Sequence, residues 1–332
     1  MKSILGKYWF SLGIVLVVML AFRFPEFGIL LDRWNVLKTG VFLSFLIAGL
    51  TLETRKIFVQ IKNFKGIAMA LISCFVFFPV VTHVLAKLFI QDIQNNYVGL
   101  CLFSLAPVSM ASGTILTRLS RGNTSLSLLI NVTTQFLSIF IVPFSLSLLL
   151  RFEQPVNLSV LSMIWSLTLL VLVPVIGGQI IRLKVKDQIG SWKLFFSLFC
   201  KVVLFLIIFH AIAKSIAKLA LLGSEIVSVL IFLFSLYLLV RVLNFGIAKL
   251  LRFDGPSTSA FTIQTSQKSL AFSFILWYGF LTDFQLGLIF AIIYYIIQSV
   301  LDPYLAQYFA HVEDTAKKRN IDLQEGIDSC EY

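Results

Sequence analysis

Charge is what this chain has least of. Only 13% of its 332 residues are Asp, Glu, Lys or Arg, and a water-soluble domain of that length needs a charged surface several times richer. Acids are scarcer than bases, 16 against 27, which leaves a net charge of +11. The basic residues fall in short gaps between apolar runs and not on one patch, so they read as membrane topology and argue against a nucleic-acid partner. Four cysteines, Cys74, Cys101, Cys200 and Cys330, have no CxxC spacing and three lie inside apolar runs, so neither a disulfide framework nor a metal site is indicated. No cluster of His, Asp and Glu, and no nucleophile beside a base, falls at membrane depth, and the chain does not read as an enzyme. No small-residue cleavage site follows the first apolar stretch before Arg23, so that stretch reads as a retained span and not as a signal peptide.

What is present is hydrocarbon. The composition is 58% hydrophobic with 33 phenylalanines, the mean hydropathy is +0.94, and the apolar residues come in runs long enough to cross about 30 Å of lipid. The runs and gaps predict an all-α polytopic protein with ten spans, near 8–22, 36–52, 65–90, 97–118, 124–150, 157–182, 193–217, 223–247, 257–280 and 284–309. With the N-terminus inside, 18 lysines and arginines collect on the inner face and 7 on the outer, which predicts a multi-pass cell-membrane protein with both termini cytoplasmic. The spans divide into two sets of five, residues 1–152 and 153–310, followed by a cytoplasmic tail, 311–332. Two related halves with an odd number of spans insert upside down relative to each other, the inverted-repeat logic of many secondary transporters.

Two polar segments interrupt these spans, each introduced by a proline: Pro107 through Thr114, and Pro256 through Ser269. Interrupted backbone survives at membrane depth only when buried in protein or lining a cavity, so one such segment per half points to a transporter binding site. Pro107 and Pro256 are the expected helix breaks. Ser112, Gly113, Thr114, Gln264, Gln267, Lys268 and Ser269 are the expected lining, and the N-termini of the second half-helices favour an anion. Lys268 lies about eleven residues, roughly 16 Å, into its span, too deep for its stem to reach either interface. Burying that ammonium costs at least about 2.5 kcal/mol unless it is paired. Asp92, Glu225, Asp283 and Asp302 fall nearer the span ends, which leaves carbonyl dipoles or a bound anion as its partners. Lys268 either supplies working positive charge, drawing in an anion or carrying a proton, or is a structural ammonium that holds the crossing together. Gln135 and Gln298 read as interhelical hydrogen-bond partners, and His210 as a neutral histidine bonded to a carbonyl.

Gly49-Leu50-Thr51-Leu52, Asn63-Phe64-Lys65, Phe78-Pro79 and Arg121-Gly122-Asn123, in that order and spacing, resemble the bile acid:sodium symporter superfamily. With Gln267-Lys268-Ser269 the chain is most similar to its SBF-like branch, which includes the vertebrate solute carrier family 10 member 7 type. The resemblance implies two inverted five-helix repeats, with discontinuous fourth and ninth helices that cross near the midplane. It also implies a core domain moving against a panel of the first, second, sixth and seventh helices, and two sodium ions behind the crossing in sodium-coupled members. Carried onto this chain, the ligand positions fall on Gly113 and Thr114, with Ser112 adjacent, and on Ser127 and Asn131; Thr114, Ser127, Asn131 and Gln267 are the candidate sodium ligands. The pattern then departs from sodium-coupled relatives. The glutamate position is Ile263, or Gln264 if the alignment slips by one, and the glutamine expected before Pro79 is Cys74. With the only carboxylate ligand lost and Lys268 beside the site, sodium, a proton or no ion at all remains open as the coupling.

Three function classes follow. The leading one is an alternating-access transporter of a small or amphipathic organic anion, a symporter-like protein in contact with membrane lipid, with Lys268 taking the place of a sodium ion. A non-transporting regulator built on the same fold is the second, and an intramembrane enzyme the third.

Overall fold

The computed structural model describes residues 2–33, 35–54, 60, 63–90, 93–153, 158–185, 188–221, 223 and 225–328. Arg55, Lys56, Lys62 and Lys186 of the expected inner face, Asp92, Cys330 and the expected connection at Gln154-Pro155 lie outside them.

Every regular element among the described residues is helical. In chain order they are α1 (Lys2–Arg23), α2 (Pro25–Arg33), α3 (Val36–Thr51), α4 (Phe64–Phe89), α5 (Ile93–Leu105), α6 (Met110–Leu119) and α7 (Thr124–Glu153). Then come α8 (Val160–Val185), α9 (Ile189–Leu221), α10 (Glu225–Leu250), α11 (Gly255–Ser266), α12 (Leu270–Phe280) and α13 (Ile289–Asp328). Six of these, α4, α7, α8, α9, α10 and α13, are long and apolar enough to cross a membrane by length and composition, and shorter apolar helices cover Leu12–Arg23, Val36–Thr51 and Asn96–Leu105. The large apolar side chains left exposed around them, Phe136, Phe140 and Phe144 on α7 for example, suit a lipid surround and not water.

The helices pack as two groups. α1, α2, α3, α8 and α9 hold to one another, as do α4, α5, α6, α7, α10, α11 and α13; the groups meet where α8 touches α7 and where α1 and α9 touch α13, and α12 bridges them, packing on α8 and α9 on one side and α5 and α13 on the other. In the first group α3 and α8 approach backbone to backbone: a Cβ on Gly49 would strike the Val175 carbonyl, and one on Gly178 the Leu46 carbonyl. Small residues permit such contact between helices in lipid. The free carbonyls at the end of α3 are then capped from α8. Gln179 donates to Gly49 and Leu52, and Arg182 donates to Leu50 at 2.8 Å.

α4 and α8 each contain a π turn, Ser73–Phe77 and Thr168–Leu172, followed two residues later by a proline, Pro79 and Pro174. In the first, Phe78 N donates to Ser73 O, so the next carbonyl, Cys74, would need the amide of Pro79, which has no hydrogen. A bare carbonyl is thereby set into the side of α4.

Two expectations are corrected. Pro256 does not break a helix; it sits in the first turn of α11 behind the N-cap Asp254, where a missing N–H is harmless. The interruption comes later, at Gln267-Lys268-Ser269, between α11 and α12. Nor does the helix that carries the last span stop near 309. α13 continues as one helix to Asp328, and its Asp314 pairs with Arg121 in the turn between α6 and α7.

Candidate functional site

The two interruptions are joined directly. Ala106–Ser109 separates α5 from α6, Gln267–Ser269 separates α11 from α12, and Ser269 N donates to Pro107 O at 2.9 Å. A broken helix leaves carbonyls that must be satisfied somewhere. Here five consecutive ones each have a named partner. Ala106 O accepts from Lys268 Nζ, Pro107 O from Ser269 N, Val108 O from Gln135, Ser109 O from Gln264 and Met110 O from Asn131. On the other strand of the crossing, one side chain serves both backbone groups of Lys268: Gln298 accepts from its N–H and donates to its carbonyl, each at 3.1 Å. Ser269 caps α12 by accepting from Phe272 N.

Lys268 is buried, 3% exposed, and its ammonium is caged. Nζ donates to Ser104 O at 2.7 Å, Ala106 O at 2.8 Å and Cys74 O at 3.0 Å, and it lies 4.0 Å from the centre of the Phe78 ring. Two of these carbonyls are free because α5 ends there, and the third because Pro79 cannot serve it. An ammonium has three donors, and all three are used. No donor is left over, so Lys268 as placed offers a ligand no free N–H.

Beside this cage lies a second, neutral cluster. Gln264 is fully buried, and its Oε1 accepts from Ser127 Oγ at 2.9 Å. Gly113 faces that amide so closely that a Cβ would overlap Gln264 Oε1. Gln264 is therefore the residue that occupies the crossing, whereas Ile263 packs against Leu116 and Ala306. Thr114 Oγ1 and Asn131 Oδ1 are buried without a hydrogen-bond partner. The Asn131 amide is pinned by its Nδ2 bond to Met110 O, so its oxygen cannot turn away. Orphaned acceptors of this kind cost about 1–3 kcal/mol each, and a cation would satisfy them. Ser112 Oγ donates to Gln267 Oε1 at 3.0 Å and lies 2.8 Å from Ser109 Oγ, linking the first broken helix to the second.

Sequence reasoning missed a charged pair. Asp302, expected near a span end, is 1% exposed, packed against Tyr237 and Arg241 of α10 and Gln267 of the second break. Arg241, counted with the inner loops, is 6% exposed inside α10 and pairs with Asp302. Tyr237 OH also donates to Asp302, and Gln267 Nε2 donates to it at 2.5 Å. Nearby, Ser73 donates to Asn244, and Asn244 to Ser266 Oγ. The signal for the pair was two opposite charges inside apolar runs. Gln135 and Gln298 are interhelical partners as expected, and His210 Nδ1 lies 2.7 Å from Gly28 O.

A cavity of about 700 Å³ lies between the first group and the bridging helix α12, lined by Lys38 and Val41 of α3, Trp165 and Leu169 of α8, and Phe274 and Tyr278 of α12. Its walls are aromatic and aliphatic, and Lys38 Nζ sits 5.0 Å from the centre of the Tyr278 ring.

Many apolar helices around a polar junction of two broken ones define a multi-pass membrane protein of transporter type. The family model of the SBF-like CPA transporter family matches residues 8–311, and the chain belongs to that family. It is 25% identical over 279 residues to sodium/bile acid cotransporter 7-B of Xenopus laevis, covering 80% of each chain. Over 172 residues it is 30% identical to the probable sodium/metabolite cotransporter BASS4, chloroplastic, of Oryza sativa subsp. indica; that match covers 52% of this chain and 40% of the rice protein. Sodium/bile acid cotransporter 7 of Danio rerio is 28% identical over 209 residues, 61% of this chain and 62% of that one.

Proposed function

We propose that the chain is a secondary transporter of an amphipathic organic anion, working by alternating access in the cell membrane, with ten spans in two inverted sets and both termini cytoplasmic. One cation position of the crossing is filled permanently by the Lys268 ammonium, and the neutral oxygens of Thr114, Ser127, Asn131 and Gln264 take a single sodium ion as co-substrate. The observation that carries this reading is the carbonyl cage. Three carbonyls from α4 and the α5 break converge on one positive charge borne by the other broken helix, which is how a desolvated cation is held. The unpartnered Thr114 and Asn131 oxygens support a second, exchangeable cation beside it. The aromatic cavity with Lys38 at its edge, between the first group of helices and α12, suits an apolar body with a negative end.

Movement of α1, α3, α8 and α9 against the remaining helices would expose that cavity to each side in turn, while the crossing moves as a unit. The test is uptake of radiolabelled taurocholate, chosen as an amphipathic anion, into proteoliposomes holding the purified full chain. Saturable uptake, raised by an inward sodium gradient and competed by other amphipathic anions, is expected. Uptake of an organic cation that competing anions leave unchanged would overturn the substrate class. No flux of any probe, with a stable membrane partner co-purifying, would instead fit a regulator.

A further inference from the structure

The Arg241–Asp302 pair is buried at the edge of the crossing, and neither helix it joins is broken. Asp302 divides its bonds: Oδ1 accepts from Tyr237 OH at 2.9 Å and from Arg241 Nη2, while Oδ2 accepts from Gln267 Nε2 at 2.5 Å. The Arg241 guanidinium lies over the Tyr237 ring, 3.6 Å from its centre, and its Nε and Nη1 have no hydrogen-bond partner. The pair therefore keeps little for itself. What it offers the rest of the molecule is one carboxylate oxygen aimed at Gln267.

A glutamine amide carries an acceptor at one tip and a donor at the other, and rotation by half a turn exchanges them. An ionised carboxylate can only accept. With Asp302 at one side, a turned Gln267 would set oxygen against oxygen at the distance of a short hydrogen bond, so only one orientation is allowed. In that orientation Oε1 faces the first broken helix, where it accepts from Ser112 at 3.0 Å. Arg241 matters because it neutralises Asp302. An unpaired carboxylate in this interior would itself attract the cation or take up a proton, and would cease to be a fixed acceptor.

We propose that Asp302, held by Arg241 and Tyr237, is a positioning residue that locks the Gln267 amide with its oxygen toward the broken helix at Ser112, so that the crossing is lined by acceptors and takes a cation. The proposal rests on the reading that Gln267 lies on the transport path, and its test separates the two. Asp302→Asn keeps the shape but can offer a donor, so Gln267 is free to turn. Taurocholate uptake is expected to fall about tenfold or more, the scale of a misdirected site group. Adding Gln267→Glu in the same chain makes both tips acceptors, keeps the net charge, and is expected to restore most of the uptake. A purely structural pair would move uptake only in step with stability, so the melting temperature of each variant is measured beside its uptake, and recovery of uptake beyond recovery of stability is the expected result.

A readout independent of transport is solid-state NMR on full-length protein in lipid, labelled with 13Cγ aspartate and side-chain 15N glutamine. A dipolar contact between the two labels that is lost in Gln267→Glu is expected in the wild type. Absence of that contact in the wild type, wild-type uptake by Asp302→Asn, or failure of the double variant to recover uptake beyond the single one would each overturn the proposal. If the wild type transports no taurocholate, the transport reading is what falls, and the presence or absence of the contact still decides the orientation of Gln267.

Discussion

Lys268→Met is expected to abolish uptake and to lower the melting temperature of the purified protein by about 10 °C or more. Methionine fills the space of the lysine stem but donates nothing, so the carbonyls of Cys74, Ser104 and Ala106 are left bare in a dry interior. At about 1–3 kcal/mol for each unsatisfied buried group, the loss amounts to several kcal/mol, a large part of the stability of any fold. Two of those carbonyls also define the broken end of α5, so the damage is centred on the crossing. Lys268→Arg is expected to fail as well, because a planar fork of five donors does not match three carbonyls converging on one point. Lys268→Ala differs from both: it opens the cage, and a sodium or potassium ion can re-enter where the ammonium was. That variant is expected to recover stability as salt of either cation is added at matched ionic strength. Thermal unfolding followed by tryptophan fluorescence measures all three. If Lys268→Met melts with the wild type and transports at its rate, the ammonium has no part in the crossing.

The second large effect is on function with little cost to the fold. A Cβ on Gly113 would overlap Gln264 Oε1 and come within 2.7 Å of Gln264 Cδ and 2.9 Å of Nε2, and no other contact limits it as closely. What stands in the way is the far end of a flexible side chain and not backbone, so Gly113→Ala should be accommodated by displacing the Gln264 amide. The displacement breaks its bonds to Ser127 and to Ser109 O and removes one oxygen from the neutral cluster. Uptake is expected to drop by about two orders of magnitude, as for a binding group moved by an ångström, with a fall in melting temperature in potassium smaller than that of Lys268→Met. Gel-filtration behaviour and melting in potassium report the fold, and initial uptake rates report the site. An alanine variant that transports normally would mean that Gln264 does not line the path.

How far the sequence discloses this architecture depends on whether a signal is local. Apolar runs are local, so most spans lie close to their helices. Lys268 and Gln264 could be singled out because they belong to a polar segment inside an apolar span, whereas Ser127 and Asn131 were reached only through the family resemblance. The position of the second break was harder to see. Pro256 looked like the breaker, but a proline in the first turn of a helix costs nothing, and the true gap at Gln267-Lys268-Ser269 contains neither proline nor glycine. It is held open by tertiary partners, Gln298 and Pro107 above all, that no window of sequence can reveal. The π turns ahead of Pro79 and Pro174 have the same character: the prolines are visible, but the register shift they accompany is not.

The Arg241–Asp302 pair was illegible for a further reason. Its members are 61 residues apart, each looked like an ordinary charge near a helix end, and only the packing of α13 against α10 brings them together in the interior. Charge-counting assigns such residues to the loops by default, and topology rules tolerate the error because one residue barely alters the bias.

The most direct measurement is a thermal-stability titration of the wild-type protein with sodium against potassium at constant ionic strength, run beside Asn131→Ala. If one cation position is filled by Lys268 and the other by neutral oxygens, sodium stabilises the wild type with the saturation of a single site, potassium does not, and Asn131→Ala loses the effect while folding normally. A wild type indifferent to sodium, or one whose stabilisation survives in Asn131→Ala, would contradict that division of the crossing.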